Sequence, residues 1–167
     1  MMFKVLGAAS IIGLLSCSPA ADPDPDPEAS ADAALLRETL PGVTDRCVEL
    51  FLSGGPNAFP SDVRECFPMD KARRWEGLWL DEFEGSRFCA APADDCTYHS
   101  AGERVWLTFA EEIRATERPA FDGKIRLYQI EFIGRQTSEP GHFGHAGTSD
   151  RKIVVEELLK LELVSRN

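Results

Sequence analysis

The stretch that decides the fold reads Trp75-Glu76-Gly77-Leu78-Trp79-Leu80-Asp81-Glu82-Phe83-Glu84-Gly85-Ser86-Arg87-Phe88. Trp75, Gly77 and Trp79 alternate with Glu76 and Leu78, the period of two that sends successive side chains to opposite faces of a strand. The period returns at Val105-Trp106-Leu107-Thr108-Phe109 and at Tyr128-Gln129-Ile130-Glu131-Phe132. Ile125 and Leu127 lie on the other phase from Tyr128, which predicts a bulge near Leu127. The β-branched Ile153-Val154-Val155, running on to Leu159-Lys160-Leu161-Glu162-Leu163, predicts a closing strand. A helix is the alternative for the final ten residues.

Upstream of this stretch the pattern is helical. Residues 32–52 carry Ala34-Leu35-Leu36, a break at Pro41-Gly42, and then Val48, Leu50, Phe51 and Leu52, with Thr44 or Asp45 as the cap of a second helix. Ser53-Gly54-Gly55-Pro56-Asn57 reads as a loop, and Ser61-Asp62 as the cap of a short helix from Val63 to Cys66, limited by Pro68. The fold class expected is α+β: short N-terminal helices followed by a small antiparallel β-sheet or a partly open, OB-like β-barrel. One domain spans 32–167, helical over 32–72 and β over 73–167, a length suited to a single core.

The chain opens with Met1-Met2-Phe3-Lys4 and an apolar run from Val5 to Leu15. About eleven residues are too few to cross a bilayer core, which needs about twenty in a helix, so the run reads as a secretory signal. It ends in Leu14-Leu15-Ser16-Cys17, which resembles the lipobox of bacterial lipoproteins. The resemblance implies a signal peptide at 1–16 and a covalent lipid on Cys17, with no other cofactor. Two or three acyl chains would make the membrane attachment stable. Ser18 after the cysteine implies the outer membrane, facing the periplasm. Leu15 departs from the family, which more often has a smaller residue there. Cleavage after Ala20 would instead give a soluble secreted protein. Residues 17–31 contain Asp-Pro-Asp-Pro-Asp-Pro, which cannot form a core and reads as an extended stalk reaching roughly 40 Å.

With Cys17 acylated, Cys47, Cys66, Cys89 and Cys96 remain, an even number in an exported chain and therefore two disulfides. Four cysteines allow three pairings. The nearest-neighbour pairing, Cys47 with Cys66 and Cys89 with Cys96, is the one expected, because the second pair would pin the turn Ala90-Ala91-Pro92-Ala93-Asp94-Asp95. A formal charge of −10 argues against nucleic acid or an anionic lipid surface as the main partner.

Candidate chemistry is sparse. Gly141-His142-Phe143-Gly144-His145-Ala146-Gly147 places two imidazoles in one turn, where His142 and His145 could share a metal ion if His99, Glu139 or Asp150 supplied a third ligand. The alternative is a structural turn, with His145 bonded to a backbone group and Gly141, Gly144 and Gly147 supplying positive φ. Glu82 and Glu84, two apart on a strand, would share a face and could serve as the paired carboxylates of a cell-wall hydrolase, or stand solvated or bound to Arg87 or Arg135. Trp75, Trp79 and Trp106 could form a sugar platform or fill the core. Glu156-Glu157 reads as solvated surface. No Gly-x-Ser-x-Gly elbow, phosphate loop or HExxH occurs.

The Trp79–Phe88 segment, together with Gly134-Arg135 and Phe143-Gly144-His145-Ala146-Gly147, resembles a group of small exported proteins of Gram-negative bacteria. These carry an aromatic-Glu-x-Ser-x-Phe strand, a Tyr-Gly-His-Leu-Gly-like turn and a valine-rich closing strand. Phe stands for Tyr and Ala for Leu here. The resemblance covers roughly residues 75–164, leaves out the helical part, and implies compartment and architecture without an activity. The functional expectation is a non-catalytic, membrane-anchored binding or accessory module of the cell envelope. Its partner would be an envelope protein or the cell wall, met through Glu82, Glu84, Arg135 and Phe143.

Overall fold

The computed structural model describes residues 27–114, 118–119 and 122–166. The signal segment and Cys17 lie outside the described residues, as does the stalk up to residue 26. Helix α1 spans Pro27–Thr39 and α2 spans Asp45–Gly54. The start of α1 means that the chain is helical from Pro27 rather than extended to residue 31; a proline in the first turn suits a helix because its missing N–H has no intrahelical acceptor there. Thr44 enters α2 in extended conformation, and its carbonyl accepts from the N–H groups of Cys47 and Val48. Leu36, Val43, Cys47, Val48 and Cys66 form a small core. The Cys47–Cys66 disulfide ties α2 to a 3-10 turn at Val63–Glu65, where the Asp62 carboxylate accepts from the Arg64 N–H.

Five strands follow: β1 (Arg73–Glu82), β2 (Gly85–Ala90), β3 (Val105–Phe109), β4 (Arg126–Gln136) and β5 (Arg151–Arg166), with a short helix α3 (Glu111–Arg114) between β3 and β4. Their order is β1-β2-β3-β5-β4, with β4 pairing back on β1. The barrel is closed, not partly open, and mixed, not antiparallel. An odd number of strands cannot alternate in direction around a ring, so one neighbouring pair has to run parallel. That pair is β3 and β5, in register from Val105↔Arg151 to Phe109↔Val155. Order, parallel pair and intervening helix are those of an OB-like barrel. The β4–β5 ladder slips between Leu127 and Tyr128, where the phase change in the sequence predicts a bulge, and again at Glu131/Phe132 and Ile133/Gly134. Bulges of this kind bend and coil a strand pair, which lets the longest strand, β5, follow the barrel wall.

The inward phase of each strand fills the barrel with Trp79, Phe88, Leu107, Phe109, Tyr128, Ile130, Phe132, Ile153 and Val155. Trp79 stacks on Tyr128 with ring centres 5.2 Å apart and tilts against Phe109 at 5.1 Å. Its indole N–H donates to Ser86 Oγ (2.9 Å), which donates to the Leu107 carbonyl (2.6 Å). A polar tip inside an apolar core is thereby satisfied. The helical part docks through Val63 and Phe67: Val63, Ala110, Phe143 and Val154 cluster, and Phe67 meets Phe143 edge-on at 5.1 Å.

Candidate functional site

The expected carboxylate pair is taken apart by the hairpin. Glu82 ends β1 and pairs across with Gly85, so Phe83-Glu84 is a two-residue turn and Glu84 sits at φ 54°. The two glutamates therefore do not share a strand face. Glu82 hydrogen-bonds the hydroxyl of Tyr98, whose pKa is pushed up to about 12, first by burial and then by that carboxylate. Glu84 lies 3.4 Å from Nε2 of His145. His145 thus meets a side chain rather than a backbone group, and His142 is exposed.

Among the described residues no group of three or more His, Cys, Asp or Glu is placed to hold a metal ion. Of the proposed third ligands, Asp150 is gripped by Arg104 through two side-chain hydrogen bonds, and Glu139 packs over Gly42. The backbone N–H of His99 is held by Thr97 Oγ1. Gly144 and Gly147 have positive φ, as the turn requires, whereas Gly141 is needed for space: a Cβ there would come within 2.8 Å of the Phe143 ring. Phe143 is interior, so it offers no contact surface of its own. Arg135 donates to Glu156 (3.0 Å), which also accepts from Arg64 (3.1 Å). Glu156 is therefore the junction between the helical part and the barrel rather than solvated surface. The tryptophans divide: Trp79 is core, Trp106 faces outward beneath Gly144, and Trp75 is half-buried at a barrel mouth.

That mouth holds an open cleft of about 550 Å³, at the end where β1 and β3 begin and β2 and β4 finish. It opens because β2 and β3 pair only at Arg87↔Trp106 and Phe88↔Val105; past Phe88 the strands part. The loop braced by Cys89–Cys96 forms one wall. Trp75 and Phe88 form the floor, with Phe132 stacked below Trp75. The guanidinium of Arg73 lies 3.7 Å over the Trp75 ring. Ser86 and Phe88 point inward, so Arg87 points out under the loop, where its two terminal nitrogens donate to the carbonyls of Tyr98 (2.9 Å) and Ser100 (2.6 Å). Arg87 is only 4% exposed, and burial pushes its pKa down. On the rim, Glu103 is held by Arg151, and the Asp95 carboxylate accepts from the Cys96 N–H.

Towards the other end of β1 the barrel carries a buried charge. Asp81 is wholly buried, on the same phase as Trp75 and Trp79, with Arg118 3.1 Å away. The Arg118 guanidinium sits about 6 Å from the Trp79 and Phe109 ring centres. Burial pushes the Asp81 pKa up, against the pull of Arg118 and Arg126. Nothing in the sequence pattern marks Arg73 or Arg118, and Arg87 is expected there only as a partner for Glu82 or Glu84. For Asp81 a signal existed, since it continues the Trp75–Gly77–Trp79 alternation and an acid on that phase has to be buried. No family model, curated protein or solved structure matches this chain.

Proposed function

We propose that the chain is an exported lipoprotein, anchored through Cys17 in the outer membrane and facing the periplasm, whose folded head is a non-catalytic binding or accessory module of the cell envelope. The lipobox-like Leu14-Leu15-Ser16-Cys17 and the Asp-Pro tether behind it support the anchor. Two disulfides suit an oxidising compartment. The observation that carries the binding reading is the cleft at the barrel mouth. It has an aromatic floor and a cationic side chain held over it, and its volume falls in the range of small-ligand sites. The groups expected to do chemistry support binding over catalysis, because Glu82, Glu84 and His145 each engage another protein side chain.

The test joins two measurements on the full-length protein in its own membrane. Mass spectrometry of the mature N-terminus should find an acylated Cys17. A photo-crosslinker placed at Ala93 on the cleft wall should capture an envelope protein or a cell-wall fragment. An unmodified N-terminus beyond Cys17 would remove the anchor, and turnover of an envelope substrate by the purified protein would replace binding with catalysis.

A further inference from the structure

Nine arginines hold a carboxylate within 4 Å, and among the arginines whose side chains are described only Arg73 and Arg87 do not. Both line the cleft at the barrel mouth. This is unexpected in a chain with 28 acidic and 18 basic residues, where counter-charges are abundant. The two play different parts. Arg87 is buried with only neutral carbonyls as acceptors, and its Nε has no hydrogen-bond partner among the described residues. A buried cation with no carboxylate in direct contact is costly. Asp150 reaches Arg87 only through space and is opposed there by Arg104, so the Arg87 field is felt in the low-dielectric wall of the cleft. Arg73 is exposed and lies over Trp75. Resting on an aromatic face pre-orders a guanidinium while leaving its in-plane N–H edge open, the geometry that takes a carboxylate through two parallel hydrogen bonds.

We propose that the cleft binds a carboxylate-bearing ligand, with Arg73 contacting the carboxylate, Trp75 supporting the adjoining apolar or sugar face, and Arg87 providing the positive potential behind them. The rim favours a monoanion over a phosphate. Asp95 and Glu103 stand on the same cleft and would repel a second negative charge. Short acidic peptides and acidic sugars share this chemistry. The inference rests on the reading of the head as a binding module and names what the module binds.

The test is a titration of detergent-solubilised full-length protein, followed by tryptophan fluorescence and calorimetry. The probes are N-acetyl-alanyl-alanine and methyl glucuronide, the methyl ester of each, and inorganic phosphate. At least one acid should bind and its ester should bind about tenfold more weakly, the loss expected for one charge-assisted contact. Which acid binds tells peptide from sugar. Arg73→Gln should weaken binding to a similar degree. Arg74→Gln, whose guanidinium belongs to Glu131 on the neighbouring strand, should leave binding unchanged. Both positions are exposed, and circular dichroism of each variant checks that the fold is kept, which could not be assumed for a change at Arg87. Esters binding as well as acids, phosphate binding more tightly than either acid, equal effects of Arg73→Gln and Arg74→Gln, or no binding of either acid would overturn the proposal. If it fails while the Ala93 crosslink still forms, the binding-module reading stands without it. Loss of both removes both.

Discussion

Glu84 and His145 meet at 3.4 Å although 60 residues separate them, because the β1–β2 turn and the β4–β5 loop arrive at the same side of the barrel. Both side chains are about half exposed. Exposed pairs of this kind contribute about 0.2–1 kcal/mol. A double-mutant cycle of Glu84→Gln and His145→Ala, followed by urea unfolding, should give a coupling in that range. A coupling several times larger would mean that the contact is part of a larger polar network.

Ser86 is the link between Trp79 and the Leu107 carbonyl. Ser86→Ala leaves a buried indole N–H and a buried carbonyl without that partner. The expected cost is about 1–3 kcal/mol, read as a lower urea midpoint with an unchanged slope. The tryptophan emission should shift with it, because the Trp79 indole N–H loses its hydrogen bond to Ser86.

Asp81 makes stability depend on pH in an unusual direction. Burial raises its pKa above 3.8, so the folded protein binds that proton more tightly than the unfolded chain does. Its contribution is therefore greatest below 3.8 and is lost as pH rises through the folded value. Asp81→Asn, which keeps an acceptor for Arg118, should flatten this part of the pH profile. Asp81→Ala strands Arg118 and should cost more than Asp81→Asn at neutral pH. Thermal unfolding of the three proteins as pH is raised from below 3.8 to neutrality provides the check.

Tyr98 titrates in the opposite part of the scale. With its pKa raised from 10.0 to about 12, its contribution is complete below 10 and disappears as pH rises towards about 12. The phenolate absorbance of the wild type minus that of Tyr98→Phe should show the high midpoint. Glu82→Gln should bring it partway down, since partial burial, the larger cause, remains.

The disulfides differ in the length of chain they close, 19 residues for Cys47–Cys66 and 7 for Cys89–Cys96. On the chain-entropy account, replacing both cysteines of the longer loop by serine should cost about 3 kcal/mol and the shorter about 2.5 kcal/mol. The first should loosen α2 from the turn at Val63–Glu65, and the second should open the cleft wall. Denaturant unfolding gives the two stabilities. Ligand titration of the Cys89/Cys96 variant should show weaker binding at the mouth.

Much of the local structure was legible because its causes are local. The alternation at Val105–Phe109 and Tyr128–Phe132 marks strands whatever they pair with, and Thr44-Asp45 marks a helix start, with Thr44 the cap although its side chain makes no capping bond. The phase change beside Leu127 announced one bulge, and close spacing announced both disulfides. The site was far less legible. Glu82 and Glu84 were read as one face because a turn between them, at Phe83-Glu84, leaves no mark on the alternation until Gly85. Phe143 was read as a contact residue because its burial comes from Phe67 and Val154, which are distant in sequence.

The sequence by itself determined the helical start, the alternating strands at Trp75–Trp79, Val105–Phe109 and Tyr128–Phe132, and the bulge beside Leu127, since periodicity and capping act over a few neighbours. Only the tertiary structure decided that five strands close with β3 parallel to β5, because closure is a property of the whole ring. It alone decided that, among the described residues, Arg73 and Arg87 have no carboxylate within 4 Å while nine other arginines do. A charge is compensated or left free by what lies within a few ångströms in space, and position along the chain does not report that distance.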